Sequence, residues 1–312
     1  MKKVFIVFFG IILFVSMTAC KSKKHKILFI KDEKIESLGE YSLGEYIENN
    51  NELNFDFKNV AVNSQDELVN YLKEFSNSKD RVNKTFVISE AFSNLTDEEF
   101  KDYNFIYLNK QDENTFNINI DQRHISYIYG VISGMITRTN DISIIYSKDI
   151  LDSSKNMFAF ISGVKQVNLR AYDNLSNSNS KNILDVSTIA EEEKEVAIDN
   201  FIKNSNSDVI FYLDNNFSEN IVNIFDGSSK VVFSLKQDEN NPYIKISYPY
   251  ENIITDIIKS DHKSYFINLL DDTIVIDISH LPQEIQEIVN NVIAKMKSNE
   301  IILPNSFEEL KK

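Results

Sequence analysis

The sequence predicts an α/β protein with parallel sheets, distributed over two lobes. Short apolar strands alternate with amphipathic helical segments, which is the pattern of βα units. Strands such as KILFI at 26–30 and VIFYL at 209–213 are almost continuously apolar, as strands buried on both faces are. The number of such strands exceeds what one small sheet accommodates, and 312 residues suit two domains of about 150 residues each.

The predicted elements follow one another in that alternating order. Eight apolar runs are interpreted as strands: 26–30, 57–62, 85–89, 105–108, 116–120, 141–146, 208–213 and 230–235. Apolar residues at helical spacing and polar start signals predict helices from 64 and 96 and at 124–139, 153–167, 188–204, 221–225, 251–259 and 282–298. Ser64 and Glu67 form a capping box. Segments 265–270 and 273–278 are interpreted as two further strands, with a hairpin through Asp271 and Asp272 as one possibility.

The first twenty residues predict a bacterial lipoprotein signal peptide. Two lysines precede an uncharged apolar run at 4–15, which is shorter than the roughly 20 residues of a membrane-spanning helix. Cys20 follows directly on Ala19, at the expected cleavage point, and Met17 stands where a lipobox usually has Leu. The alternative is a plain secretory signal with an unrelated cysteine.

We therefore expect a protein anchored outside the cytoplasm by lipid on Cys20, at the cell membrane or envelope surface. Residues 1–19 would be removed, acyl chains on Cys20 would hold the chain at the membrane, and 20–25 would form a short basic tether. No later stretch approaches about 18 uncharged apolar residues, so no other membrane span is expected.

Composition and charge argue against several classes of function. The formal net charge is −14, a poor match for the phosphates of a nucleic acid. One cysteine excludes an internal disulfide, and the four histidines lack metal-ligand spacing. Seven glycines, where average usage would give about 22, argue against a glycine-rich phosphate loop. No catalytic Ser/His/Asp or Cys/His set is visible, so we expect no enzyme activity and no cofactor or metal.

Three segments together resemble a known family. They are YIYGVISGMITRTNDISII at 127–145, AFISGVKQVN at 159–168, and 281–304, which opens with LPQEI and closes with SNEIILP. In this order they are similar to the basic membrane protein family, the PnrA-like nucleoside-binding lipoproteins. The resemblance spans most of 120–305, and the first hundred residues match in element order alone.

The resemblance implies two Rossmann-like lobes joined by hinge strands, the type I periplasmic-binding-protein or flytrap architecture. It places the ligand at the carboxyl ends of the strands, between the lobes. It also implies a receptor that passes purine nucleosides to an ABC permease without catalysis. The expected first lobe is 26–120 plus about 250–268, and the second is 121–249 plus about 269–312.

The resemblance also directs attention to residues that would replace the family's ligand contacts. Where the family has its first ligand loop, this chain has a tandem pentapeptide, SLGEY at 37–41 and again at 42–46. It is either a helix start with a local duplication or a source of a base-stacking ring, Tyr41 or Tyr46. Asn109 stands in place of a family Asp; it keeps hydrogen bonding but loses the charge that favours a ribose grip.

The remaining candidates lie in the second half of the chain. Asn215 and Phe217 belong to a loop that replaces a glycine-rich one, and Phe217 either stacks on a ligand ring or belongs to the core. Leu235 stands where a ligand-binding acid is expected, unless Asp238 takes that place, and Tyr250 replaces a family lysine. Most of the expected ligand contacts are therefore altered.

Two functions stay open at this point. The main hypothesis is a lipid-anchored substrate-binding protein of an ABC importer, whose ligand is a purine nucleoside or an altered small molecule. The alternative is a surface or envelope lipoprotein on the same fold, acting in adhesion, structure or signalling with no small ligand. The altered cleft favours the alternative, while the ordered segments that resemble the receptor family favour the main hypothesis.

Overall fold

The structure, a computed structural model, describes residues 25–32, 38–49, 55–76, 84–92, 105–109, 116–176, 180–215, 218–235, 243–259 and 264–311. The predicted signal peptide, Cys20 and the helix predicted from residue 96 lie outside these ranges. Among the helices within them, none combines the length and apolarity needed to cross a membrane.

Twelve strands are described within these ranges, and they include all eight of the apolar runs predicted above. They are β1 His25–Asp32, β2 Phe55–Val62, β3 Lys84–Ile88, β4 Phe105–Leu108, β5 Asn117–Ile120, β6 Ile142–Tyr146, β7 Ile183–Asp185, β8 Val209–Leu213, β9 Val231–Ser234, β10 Lys245–Ser247, β11 Tyr265–Ile267 and β12 Val275–Asp277.

Helices alternate with these strands. They are α1 Leu38–Asn49, α2 Gln65–Ser76, α3 Arg123–Ile136, α4 Ser153–Val167, α5 Leu169–Leu175, α6 Glu191–Asn204, α7 Glu219–Gly227, α8 Tyr250–Ile258, α9 Gln283–Lys297 and α10 Phe307–Leu310. Two single-turn 3₁₀ helices lie at Glu90–Phe92 and Val186–Thr188.

The strands form two parallel sheets and a small antiparallel ribbon. The first sheet has the order β11-β5-β4-β3-β1-β2, the second β7-β6-β8-β9, and the ribbon pairs β10 with β12. Every pairing in the two large sheets is parallel. The lobe boundaries predicted above stay a prediction.

The sheets are covered on both faces, which explains their continuously apolar strands. In β1, Ile27 and Phe29 contact a central core, whereas Leu28 and Ile30 contact an outer core together with residues of α2 and β2. In the same way β8 alternates between the central core and a third cluster that includes residues of α6 and α7. An apolar residue at every strand position therefore has a buried destination.

Glycines allow α3 and α4 to pack with their backbones in near contact. A Cβ on Gly130 would overlap the carbonyl oxygen of Phe160, and a Cβ on Gly163 would overlap that of Tyr127. A backbone oxygen cannot rotate away as a side chain can. Glycine is scarce in this chain, and here it is required by a helix contact.

The tandem pentapeptide folds into α1, and its two glycines have a packing role. A Cβ on Gly39 would press against the side chain of Ile120, and one on Gly44 would lie 3.0 Å from the ring of Phe29. The repeat therefore places a small residue against the first sheet once in each unit.

The chain crosses twice between the two sheets, and a third time from the first sheet to a helix, α9, that contacts α3. The first crossing runs from β5 into α3, the second from β9 through β10 to α8, and the third from β11 through β12 to α9. The ribbon of β10 and β12 joins the second and third crossings through backbone hydrogen bonds.

The predicted hairpin over 265–278 is wrong. β11 pairs in parallel with β5, whereas β12 pairs with β10. The turn through Asp271 and Asp272 belongs to the third crossing, and Asp272 adopts a left-handed φ of 55° there. Local polarity indicated a turn correctly, but pairing of the flanking strands is decided by partners distant in sequence.

Candidate functional site

The carboxyl edges of the two sheets meet at the first crossing. Gln122 follows β5 closely, and its side-chain Nε2 donates to the carbonyl oxygen of Leu235, which follows β9, at 3.4 Å. The same nitrogen donates to the hydroxyl of Tyr248 at 2.9 Å. Gln122 is 1% exposed, and its Oε1 has no hydrogen-bond partner among the described residues. In α/β proteins, ligands bind at this edge of the sheets.

Gln122 contacts the first of three tyrosine rings that pack against one another in a row. The rings of Tyr248 and Tyr250 stack with centroids 5.0 Å apart and planes 7° apart. The ring of Tyr46, from α1, lies 5.4 Å from that of Tyr250. Burial raises the pKa of Tyr248, although the hydrogen bond from Gln122 opposes this effect. The structure thus joins α1 to the second crossing through aromatic contacts.

Two of the predicted ligand residues, Tyr46 and Tyr250, are therefore in contact with each other. Tyr250 is fully buried, and Tyr46 is partly exposed. Their role as ligand contacts stays a prediction. Tyr41 lies in α1, and its side chain is outside the described part of the structure.

Asn109 lies at the carboxyl end of β4, with a left-handed φ of 51° that asparagine tolerates better than most residues. Its side-chain Oδ1 accepts from the backbone N–H of Ile120 at 2.8 Å, and its own N–H donates to the carbonyl of Ile118 at 3.0 Å. Asn109 thus ties the ends of β4 and β5 together. Its predicted role in ligand binding stays a prediction.

Asp121 is another polar residue at the carboxyl edge of the first sheet, directly after β5. Arg123 donates Nε to Oδ1 at 3.0 Å and Nη2 to Oδ2 at 2.6 Å, so both carboxylate oxygens are engaged. Burial alone would raise the pKa of Asp121, but the hydrogen bonds and charge of Arg123 outweigh burial and lower it. Burial also lowers the pKa of the neighbouring His124, whose Nδ1 has no partner within the described ranges.

Asp185, the last residue of β7 in the second sheet, is an acid that also forms an ion pair. Its Oδ1 accepts from the N–H and the hydroxyl of Ser187, at 3.1 and 2.6 Å. Its Oδ2 lies 2.7 Å from Nζ of Lys148. Burial would raise the pKa of Asp185, but these partners lower it.

Asp214 follows β8 on the same edge and has a different environment. It is 6% exposed, and its Oδ1 accepts from the N–H of the neighbouring Asn215, at 2.9 Å. Its Oδ2 has no hydrogen-bond partner among the described residues, and neither has Oδ1 of Asn215. Burial raises the pKa of Asp214, and the charge of Lys194 opposes this without reversing it.

The acids and amides of these two edges include residues that sequence reasoning did not single out as binding candidates, namely Gln122, Asp121, Asp185 and Asp214. Each follows or ends a strand of one of the two large sheets, and that position was the available signal. Of the predicted candidates, Phe217 and Asp238 lie outside the described residues. Asn215 is described, and it lies beside Asp214.

The part of the chain that the structure describes contains no group of three or more His, Cys, Asp or Glu side chains arranged to hold a metal ion. The polar groups at the two edges are instead hydrogen-bond donors and acceptors. Chemically, such an arrangement can orient and hold a small polar molecule.

Comparison with known proteins gives similarity at the level of structure. No family model matches the sequence, and no curated protein matches it. An ABC transporter solute-binding protein from Aeropyrum pernix K1 has a TM-score of 0.63 at 11% identity, over 92% of this chain and 98% of that one. A second such protein, from Conexibacter woesei DSM 14684, has a TM-score of 0.54 at 12% identity, over 90% and 99%.

A transcriptional activator of the comK gene from Bacillus halodurans is also similar, with a TM-score of 0.59 at 11% identity, over 89% of this chain and 99% of that one. At such identities the likeness concerns the fold alone. It confirms the predicted α/β, two-lobed periplasmic-binding-protein architecture.

Proposed function

We propose that the protein is a lipid-anchored, extracytoplasmic substrate-binding protein of an ABC importer, and that it holds a small polar ligand between the carboxyl edges of its two sheets. The observation that carries the proposal is the meeting of the two edges at Gln122 and Leu235. This hydrogen bond brings the carboxyl ends of β5 and β9, one from each sheet, together. Two of the structurally similar proteins are described as solute-binding proteins of ABC transporters.

The finer part of the proposal concerns the ligand. A purine nucleoside is the first choice because of the resemblance of 127–145, 159–168 and 281–304 to the nucleoside-binding lipoproteins. Asn109, whose Oδ1 already accepts from Ile120, is one of the altered contacts. A matched hydrogen-bonding pocket discriminates by about 10⁴–10⁵. The replacement of the family's ligand contacts in this chain therefore favours a ligand that differs from a nucleoside in its polar groups.

A thermal-unfolding screen tests ligand binding. The full chain, purified in detergent, would be heated with nucleosides, nucleobases, sugars, amino acids and amines. A ligand at 100 times its Kd stabilises the folded state by about 2.7 kcal/mol. Binding of any class supports the receptor role, and X-ray scattering with that compound should show a smaller radius of gyration as the lobes close.

The outcomes of this screen separate the proposals. If a non-nucleoside binds and the nucleosides do not, the nucleoside assignment is wrong and the receptor role stands. If no compound changes the melting temperature, the receptor role is contradicted. The surface-lipoprotein alternative is then favoured.

The lipid anchor has its own test, with Cys20→Ala as the matched control. Cells fed labelled palmitate should label the wild-type chain and leave the variant unlabelled. The wild type should also sediment with membranes, whereas the variant should not. Equal labelling of the two chains would contradict the anchor but would leave ligand binding untouched.

A further inference from the structure

The side chain of Asp214 is a buried hydrogen-bond acceptor that the protein itself fills only in part. One carboxylate oxygen accepts from the N–H of the next residue, and the other has no partner among the described residues. A buried carboxylate without a full set of partners is costly, since folding removes it from water. Such a group is retained at no benefit to the unliganded fold, so a ligand is its natural partner.

The groups that surround Asp214 come from separate elements at the carboxyl edge. Lys194 and Glu191 lie in the first turn of α6, and Asp149 follows β6; all three act on the charge of Asp214. Lys194 is already paired with Glu191, with Nζ and Oε2 2.6 Å apart. The carboxylates of Asp214, Glu191 and Asp149 thus outnumber the single ammonium group of Lys194, and the local charge is negative.

Asn215 adds a second acceptor beside the first. Its side-chain Oδ1 is buried and has no partner in the described part of the chain. Two neighbouring acceptors in a negative field suit a group that donates hydrogen bonds and carries positive charge. An anionic ligand group such as a phosphate or carboxylate would be repelled there.

Asp185 is a second acid at the carboxyl edge of the sheet that carries Asp214. It ends β7, which β6 separates from β8 in the same sheet, and Ser187 donates two hydrogen bonds to its Oδ1. Its Oδ2 has no hydrogen-bond partner among the described residues but forms an ion pair with Nζ of Lys148, at 2.7 Å. The difference between the two acids therefore lies in their partners. Asp185 is consequently the matched control for Asp214.

We infer that Asp214 and Asn215 form a subsite for a protonated amine of the ligand, at the carboxyl edge of the second sheet. This inference rests on the proposed receptor function and names the chemical class of its ligand. In the complex, the ammonium group donates to Oδ2 of Asp214 and to Oδ1 of Asn215. Its positive charge offsets the excess of carboxylates around the site.

Matched amine and hydroxyl compounds test the subsite directly. Putrescine is compared with butanediol, glucosamine with glucose, and an aminodeoxyadenosine with adenosine, by calorimetry on the full chain in detergent. For at least one pair we expect the amine to bind the wild type at least tenfold more tightly. Asp214→Asn should lose this preference, by a factor of about 30, and Asp185→Asn should keep it.

Stability of the ligand-free variants gives a second, independent readout. Asp214→Asn removes an incompletely paired acid, so its melting temperature should equal or exceed that of the wild type. Asp185→Asn removes an acid that Ser187 and Lys148 stabilise, so its melting temperature should fall. A lower melting temperature for Asp214→Asn would show that the carboxylate has a structural partner, and it would overturn the inference.

The binding outcomes also separate this inference from the function on which it rests. If compounds bind but amines and hydroxyls bind alike, or if the preference survives Asp214→Asn, the subsite is wrong while the receptor role stands. If no member of any pair binds, the subsite fails, and the thermal-unfolding screen alone decides the receptor role.

Discussion

Asp121 and Asp214 each directly follow a strand of one of the two large sheets, and the pKa values of their carboxyl groups are shifted in opposite directions. Each follows a strand of a parallel sheet at the carboxyl edge, and burial is the largest influence on the pKa of each. The pKa of Asp121 is nevertheless lowered, because Arg123 engages both of its oxygens. The pKa of Asp214 is raised, because no comparable cation bonds to it.

The difference teaches that position at a sheet edge does not by itself make a binding group. The edge of the first sheet uses its acid for an internal ion pair, as the second sheet does with Asp185. Asp214 is left with an unfilled oxygen within the described structure. A buried acceptor without a hydrogen-bond partner therefore indicates a binding site better than charge alone does.

The substitution with the largest expected effect is Gly130→Ala, which should disrupt the packing of α3 against α4. α3 starts at the first edge, and its new Cβ would overlap the backbone oxygen of Phe160 in α4. We expect the free energy of unfolding to fall by about 3 kcal/mol, measured by urea denaturation. In Gly227→Ala, the matched control, the new Cβ has no neighbour within 4 Å. It should change stability by less than about 1 kcal/mol, and a similar loss in both variants would contradict the packing argument.

Arg123→Gln should sharpen the comparison by making Asp121 resemble Asp214. The acid then stays at its edge without its cation, so its pKa should rise, and the free energy of unfolding should fall by about 2 kcal/mol. Arg138→Gln is the control, because that arginine is 88% exposed and its Nε lies 3.8 Å from Asp208. Its effect should stay below about 0.5 kcal/mol. The interpretation of the Asp121 pair would be wrong if Arg123→Gln cost no more than Arg138→Gln.

Removal of the two acids should change the pH dependence of stability in opposite directions. Asp121 has a lowered pKa, so its contribution is present above the unfolded pKa of about 4 and is lost as pH falls through the folded value. Asp214 has a raised pKa, so its contribution is present below the unfolded value and is lost as pH rises through the folded one. Urea denaturation across the acid range should show effects of about 1 kcal/mol.

In that series, Asp121→Asn should flatten the loss of stability at the acid end, and Asp214→Asn should flatten the loss on raising pH. Changes of the same sign in the two variants would remove the contrast on which the subsite depends.

Tyr248→Phe should have the smallest effect on stability. The variant removes the hydroxyl that accepts from Gln122, but Nε2 of Gln122 still reaches the carbonyl of Leu235 at 3.4 Å. We expect a loss of about 1 kcal/mol or less in the free energy of unfolding, with the tyrosine stack retained. A loss as large as that of Gly130→Ala would show that the contacts of Gln122 with Tyr248 and Leu235 contribute as much to stability as the packing of α3 against α4.

Much of the fold could be predicted from the sequence because its signals are local. The capping box is an example: Oγ of Ser64 accepts from the N–H of Glu67 at 3.2 Å. Its second half is shifted by one residue, since the carboxylate of Glu67 accepts from Asn63 at 2.8 Å. The wrong hairpin at 265–278 involved strand pairing, which depends on residues far away along the chain.

The site was less predictable for the same physical reason. Gln122 bonds to Tyr248 across 126 residues, and no local pattern indicates such a contact. Asp214 was visible as an acid after an apolar strand, but its unfilled oxygen is a property of the folded surroundings. Tyr250 likewise stacks on Tyr248, and helical spacing does not encode that contact.

The placement of β11 has a consequence for the order of assembly. This strand pairs with β5 at the edge of the first sheet, although almost 150 residues separate the two along the chain. During synthesis from the amino terminus, one side of β5 therefore lacks its neighbouring strand until the whole of the second sheet has been made. An exposed strand edge can recruit another chain. A ribosome-stalled product that ends before residue 265 should accordingly aggregate more readily than one that includes β11.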